Sequence, residues 1–336
     1  MKTIFVVDDN DMSLFAAKTA LDGRYKVFAL PAAEKMFKLA EKIVPDLILL
    51  DVMMPDIDGF EAMRRLKADE RLKEVPVIFL TGKNDEDSEL QGFKLGAIDF
   101  INKPFSRPVL VRRLQTHLDI DEMLKESRQA LRDMHNAIIS VIADTVENRD
   151  HITGGHIERT QIYLEILLDE LSRRSIYEEE IKTWDRTLIL PSAQLHDVGK
   201  ITISDLVLNK PDKLSDEEFA LMKRHCREGE RIIDQISRKT KDDGFLHHAK
   251  LFAGYHHEKW NGYGYPRGLR GEEIPLEGRI MAVADVYDAL VSERPYKKPM
   301  PHEKAVEIIK NDSGTHFDPK IVDAFLNVSE NFREGG

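Results

Sequence analysis

The sequence predicts two domains joined by a long helix: an α/β doubly wound parallel-sheet domain, then an all-α metal-binding bundle. Two patterns carry this. Five short apolar runs alternate with amphipathic stretches through the first third of the chain, as strands joined by crossover helices do. From Arg107 the periodicity turns helical, and beyond about Asn136 strand candidates are few. A chain of 336 residues also exceeds a comfortable single core.

Ile4–Val7, Lys26–Ala29, Leu47–Leu50, Val77–Leu80 and Ile98–Ile101 read as buried strands, with Met12–Leu21 and Phe60–Lys67 among the helices between them. Ligand sites in such sheets lie beyond the carboxyl ends of the strands. Asp8 and Asp9 follow the first strand, Asp51 the third, Thr81 the fourth and Lys103 the fifth. Three carboxylates meeting at one edge repel unless a hard cation sits among them, and Mg²⁺ suits such an oxygen-rich site. A hydroxyl and an ammonium beside them suit a phosphoryl group on one carboxylate.

Over about residues 1–120 these positions resemble the receiver domain of bacterial response regulators. The resemblance implies a flavodoxin-like fold with Asp51 as phosphoacceptor and Asp8, Asp9 and Asp51 around Mg²⁺. It makes Thr81, Phe100 and Lys103 the switch residues, and Lys103-Pro104 matches a bond that is usually cis in the family. It also implies a sensor histidine kinase or phosphotransfer protein as partner.

The helical pattern from Arg107 reaches about Asp150. Steps of four and three pick out Leu110, Leu114, His117, Asp121, Leu124, Arg128, Leu131, His135 and Ile138, five of them apolar. This reads as an imperfect coiled-coil seam, so residues 121–135 are expected to link the domains and to pair two subunits. Packing of the helix on its own domain is the competing reading.

The bundle is expected over residues 136–336, with helical segments at 137–146, 157–171, 216–236, 279–290 and 304–309. Leu195-His-Asp-Val-Gly-Lys200 sets His196 beside Asp197, with Lys200 one turn on. His225, the pair His256-His257, Gly262-Tyr-Gly-Tyr-Pro266 and Asp285 follow. Neutral imidazoles and carboxylates suit Fe, Mn, Ni or Zn. Adjacent side chains can reach two different ions, a clamp for phosphoryl chemistry, and bundles hold such sites between their helices.

This half resembles the HD-GYP family of phosphodiesterases. The resemblance implies hydrolysis of cyclic di-GMP to pGpG and, by a second cut, to GMP. It assigns one divalent transition-metal ion to His156, His196, Asp197 and Asp285. A second falls to Asp197, His225, His256 and His257, so that Asp197 bridges. Asp197 and Lys200 are the expected catalytic residues, with Asp150, Lys200, Arg294 and Lys297 on the substrate. Relatives with a third ion carry Glu where this chain has Ile152, so two metals are expected. Asn261 stands where many relatives have Asp. His247-His248, His302, His316 and Cys226 read as structural.

Composition narrows the alternatives. The chain is 42% hydrophobic and 32% charged, as soluble globular proteins are. It has no apolar run near the ~18 residues of a membrane span and no secretory leader pattern. Cys226 is the only cysteine, which points to a reducing compartment and a cytoplasmic protein. A net charge of −11 argues against binding DNA. Two rival readings share the same residues: a non-catalytic adaptor for a cyclic dinucleotide or protein partner, and a phosphohydrolase acting on another cyclic dinucleotide.

Overall fold

The computed structural model of the protein describes residues 1–82, 86–150, 155–240, 244–293 and 298–334. The side chain of Asp150, together with Ile152, Arg294 and Lys297, lies outside the described residues. The chain divides into two compact units, Met1–Leu131 and Arg132–Gly336.

In the first unit the strands are β1 Thr3–Val7, β2 Lys26–Leu30, β3 Leu47–Asp51, β4 Val77–Thr81 and β5 Asp99–Asn102. They form one parallel sheet in the order β2-β1-β3-β4-β5. Helices α1 Asp11–Leu21, α2 Ala33–Ala40, α3 Gly59–Ala68 and α4 Glu86–Lys94 connect them. β3 and β4 are buried on both faces, which is why they read as continuous apolar runs. The order reverses between β1 and β3, and a doubly wound sheet opens its ligand crevice at that switch point. Asp8, just past β1, and Asp51, the last residue of β3, flank it.

Helix α5 runs from Arg107 to Glu147, with Pro108 tolerated in its first turn. Leu110, Leu114 and Leu118 are buried on the sheet with Ile4, Leu49 and Ile101. The first turns of the expected seam are therefore packing within the first unit, where contact follows the four-residue spacing of a single helix face. The exposed apolar residues overlap the expected seam only in part. Ile120, Leu124, Leu131, Met134, Ile138 and Val141 are between 48% and 64% exposed. With Ser127 they alternate by four and three; Leu124, Leu131 and Ile138 of the expected seam lie on this stripe, whereas Asp121, Arg128 and His135 fall outside it. Ile139, Ala143, Val146 and Glu147 are buried on another face of the same helix.

The second unit is helical: α6 His156–Arg173, α7 Glu178–Ile181, α8 Arg186–Ser192, α9 Asp205–Leu208, α10 Asp216–Met222, α11 Arg224–Ser237, α12 Phe245–Tyr255, α13 Leu276–Val291, α14 His302–Asn311 and α15 Pro319–Glu334. Its main core joins α6, α13 and α15 through Tyr163, Leu167, Ile280, Tyr287, Phe325 and Phe332. Helix α13 is buried almost all round, so its polar residues Asp285 and Asp288 are carried into the interior. No helix among the described residues is long and apolar enough to cross a membrane.

Candidate metal centre

Five segments of the second unit bring their polar residues together. His156 opens α6 after Gly155, whose φ of 96° needs glycine. His196 and Asp197 sit between two short 3-10 turns. His225 lies in the first turn of α11, His256 and His257 follow α12, and Asp285 is inside α13. The turn after Asp197 can press against α11 because residue 199 is glycine: a Cβ there would lie 1.9 Å from the carbonyl oxygen of His225.

The side chains form two clusters, one of His156, His196 and Asp285 and one of Asp197, His225, His256 and His257, with ligand atoms within 4.8 Å of one another in each. Asp197 faces both. Its Oδ2 lies 3.5 Å from Nε2 of His196, while its Oδ1 lies 3.4 Å from Nε2 of His225 and 3.6 Å from Nε2 of His256. Nε2 of His156 is 3.7 Å from Oδ1 of Asp285.

The imidazoles are preset for metal. Nδ1 of His196, His225 and His256 donates to the backbone oxygens of Ala193, Met222 and Phe252 at 2.9, 2.7 and 2.9 Å. A carbonyl only accepts, so each ring turns Nε2 to the site. His156 is held the same way round by Asp288, 2.7 Å from its Nδ1; burial lowers it, but Asp288 and Asp285 outweigh that and raise it above its ordinary value. Burial pushes His196 and His225 down to about 4 and His257 well below the ordinary imidazole value, so these rings are neutral near pH 7. Asp197 stays ionised: burial raises it, but Lys200 and the surrounding imidazoles outweigh that and hold it well below the usual carboxylate range. Nε2 of His196, Nε2 of His256 and Oδ1 of Asp197 are buried with no hydrogen-bond partner. Buried polar atoms are rarely left so. Cations seated among them would satisfy all three, and the nitrogen and carboxylate donors suit Fe, Mn, Ni or Zn.

Residues 4–115 match the response regulator receiver domain and residues 140–321 match the HD domain. A probable cyclic di-GMP phosphodiesterase of Vibrio cholerae serotype O1 is 38% identical over 98% of this chain and 78% of its own. The chain belongs to the HD-domain response regulators. The cyclic di-GMP phosphodiesterase response regulator RpfG of Xanthomonas campestris pv. campestris is 36% identical over 84% of this chain and 75% of its own. A 3'3'-cGAMP-specific phosphodiesterase 2 of Vibrio cholerae is 37% identical over 60% of this chain and 36% of its own.

In this HD domain Lys200 places Nζ 2.8 Å from Oδ2 of Asp197, so it is already engaged with the carboxylate that lies between the two clusters. Two further residues, Asp288 and Glu258, escaped the sequence reading. Asp288 accepts from His156 at 2.7 Å and from Nε and Nη2 of Arg159 at 2.6 and 3.1 Å. Glu258, buried, accepts from the backbone of Arg267, Gly268 and Leu269 at 2.7, 3.2 and 3.1 Å and anchors the Gly-Tyr-Pro loop. That loop sets the Tyr265 ring 4.8 Å from the ring of His257. The spacing of Asp288, three residues after Asp285 on one helix face, was the available signal for the first. His248 is buried against Glu277 at 2.8 Å, a structural pair.

In the receiver domain Asp8, Asp9 and Asp51 have oxygens within 4.8 Å of one another. Nζ of Lys103 lies 2.6 Å from Oδ2 of Asp8 and 2.9 Å from Oδ1 of Asp51. Burial, only partly opposed by Lys103, pushes Asp51 above its ordinary value, so a cation there would ease its ionisation. Thr81 is buried at the end of β4, and the Lys103-Pro104 bond is cis. The Phe100 ring is buried against Phe79 and Phe93, with centroids 5.4 and 4.9 Å away. Gly92 makes room for it, since a Cβ there would lie 2.4 Å from the ring.

Proposed function

We propose that this response regulator hydrolyses cyclic di-GMP in its HD domain, under the control of phosphorylation at Asp51. The observation that carries the reading is the pair of neighbouring histidine-carboxylate clusters, with Asp197 of one lying 3.5 Å from His196 of the other. Relatives that match along the chain are named cyclic di-GMP phosphodiesterases.

Two divalent ions, Fe, Mn, Ni or Zn, held by His156, His196, Asp197, His225, His256, His257 and Asp285 would supply Lewis-acid polarisation of the scissile phosphoryl group. Asp197, with Oδ2 toward His196 and Oδ1 toward His225 and His256, would contribute to both ions. Lys200 places a cation beside the shared carboxylate, where it can stabilise charge developing on a phosphoryl oxygen. Tyr265 and its braced loop cover one side of the site. Asp150, Arg294 and Lys297 are proposed to hold the flanking phosphate groups. The products are pGpG and, after a second cut, GMP.

Upstream, a sensor histidine kinase or phosphotransfer protein would donate to Asp51 with Mg²⁺ among Asp8, Asp9 and Asp51. The exposed stripe on α5 would pair two subunits. The test is turnover of cyclic di-GMP by the full chain loaded anaerobically with Fe, Mn or Ni, with products resolved by chromatography. Turnover to pGpG or GMP is expected, and none with any of the metals overturns the reading. The cGAMP-specific relative favours one second reading, a mixed cyclic dinucleotide as the preferred substrate, and competition between the two dinucleotides in the same assay separates them.

A further inference from the structure

Seven carboxylates of the second unit are buried among the described residues: Glu147, Glu170, Glu230, Glu258, Glu277, Asp288 and Asp318. Six have hydrogen-bonded partners that account for them. Glu170 takes Arg173, Glu230 takes Arg267, Glu258 takes the loop amides, Glu277 takes His248, Asp288 takes His156 and Arg159, and Asp318 takes Arg279 and Tyr177. Glu147 differs. It is only 7% exposed, and its Oε1 is buried with no hydrogen-bond partner.

Glu147 is the last residue of α5, beyond the buried positions Ile139, Ala143 and Val146. The charged groups that act on it are His156, Lys200, Asp197 and Asp144, of which the first three belong to the metal centre. Burial pushes its carboxyl above the ordinary range, and His156 and Lys200 pull the other way. A buried carboxylate with an orphaned oxygen costs stability unless an ion or polar group compensates it.

Charge balance supplies the compensation. The expected ligand set has only two carboxylates, Asp197 and Asp285, for two divalent cations, and Lys200 adds a further positive charge. Asp288 does not offset this excess, because Arg159 neutralises it. We propose that Glu147 is a third, charge-compensating carboxylate of the metal centre, whose unpartnered oxygen serves the cations gathered by His156, His196, Asp197 and Asp285. It is a positioning residue at the end of α5, distinct from the position of Ile152. The inference rests on the metal-dependent reading above.

The test uses the full chain stripped with a chelator, as wild type and Glu147→Gln, with Mn²⁺ as the probe. Mn²⁺ binding is followed by titration, and the thermal midpoint of the stripped protein is measured separately. Glu147→Gln keeps the shape and removes the charge. Its Mn²⁺ affinity should fall about tenfold or more, as when supporting groups of a metal site are lost, while the stripped protein melts no lower than wild type. Two results overturn the proposal: Mn²⁺ affinity within twofold of wild type, or a stripped variant that melts lower or fails to fold, which would make the carboxylate a structural group. Wild type that itself binds no Mn²⁺ would instead remove the metal-dependent reading, and this inference with it.

Discussion

Nδ1 of His156 donates to Oδ2 of Asp288 at 2.7 Å, so a carboxylate one turn beyond Asp285 decides which way that imidazole faces. Burial pushes Asp288 up, but His156 and Arg159 outweigh it and hold the carboxyl below its ordinary range. Asp288→Asn can no longer accept from both partners through a full charge. Its Mn²⁺ affinity should fall about 10–100-fold, and titration of the stripped variant showing wild-type affinity would contradict the assignment.

Asp51 should be the site of phosphorylation. Incubation with acetyl phosphate and Mg²⁺ should add one phosphoryl mass to wild type and none to Asp51→Asn by intact mass measurement. Equal incorporation in both would move the acceptor elsewhere.

Asp197 and Lys200 should differ in kind. Because Asp197 turns one oxygen to each cluster, Asp197→Ala should uncouple the two sites and abolish hydrolysis. Lys200→Ala removes one stabilising charge, which typically costs about 10²–10³ in kcat, so measurable turnover should remain. Circular dichroism should show both variants folded. Near-wild-type turnover by metal-loaded Asp197→Ala would refute the shared-carboxylate arrangement.

A pH dependence follows from the receiver domain. Asp99 accepts from Arg113 at 2.6 Å and meets His117 at 3.0 Å. Burial raises its carboxyl, yet these partners and the Phe100 amide lower it further, and the folded value lies below the ordinary one. A depressed carboxyl stabilises the fold above its unfolded pKa, and that contribution disappears as pH falls through the folded value. Asp99→Asn should therefore cost about 1 kcal/mol near neutrality, with the gap closing below about pH 4. Thermal midpoints measured from pH 7 to pH 3 check this, and a gap that stays constant would exclude the ionic origin.

The exposed stripe on α5 should carry self-association. Leu131→Glu places a charge in the middle of the seam and should shift any dimer towards monomer in sedimentation velocity. An unchanged sedimentation profile would show that the stripe is not the contact.

The order of strands and helices in the first unit was legible because each buried strand is a short apolar run and each acid stands at a strand end. The residues of the metal centre were legible too, as motifs of fixed chemistry, though the grouping came from resemblance to relatives. Period-based reading of α5 chose a register in which Leu110 and Leu114 belonged to a seam. Only the packed structure showed that they face the sheet, because a helix repeats near 3.6 residues and its sequence alone does not say which face meets which neighbour. Glu147 had no sequence signal, and Asp288 only its spacing from Asp285, for a related reason. A carboxylate among 60 acidic residues has no mark of its own. What singles these two out is burial and the presence or absence of a partner, and both arise only when distant segments are brought together. The residue types and local spacing were thus determined by the sequence alone, while the direction of the His156, His196, His225 and His256 rings, the position of Asp197 between the clusters and the unpartnered oxygen of Glu147 were decided by tertiary packing.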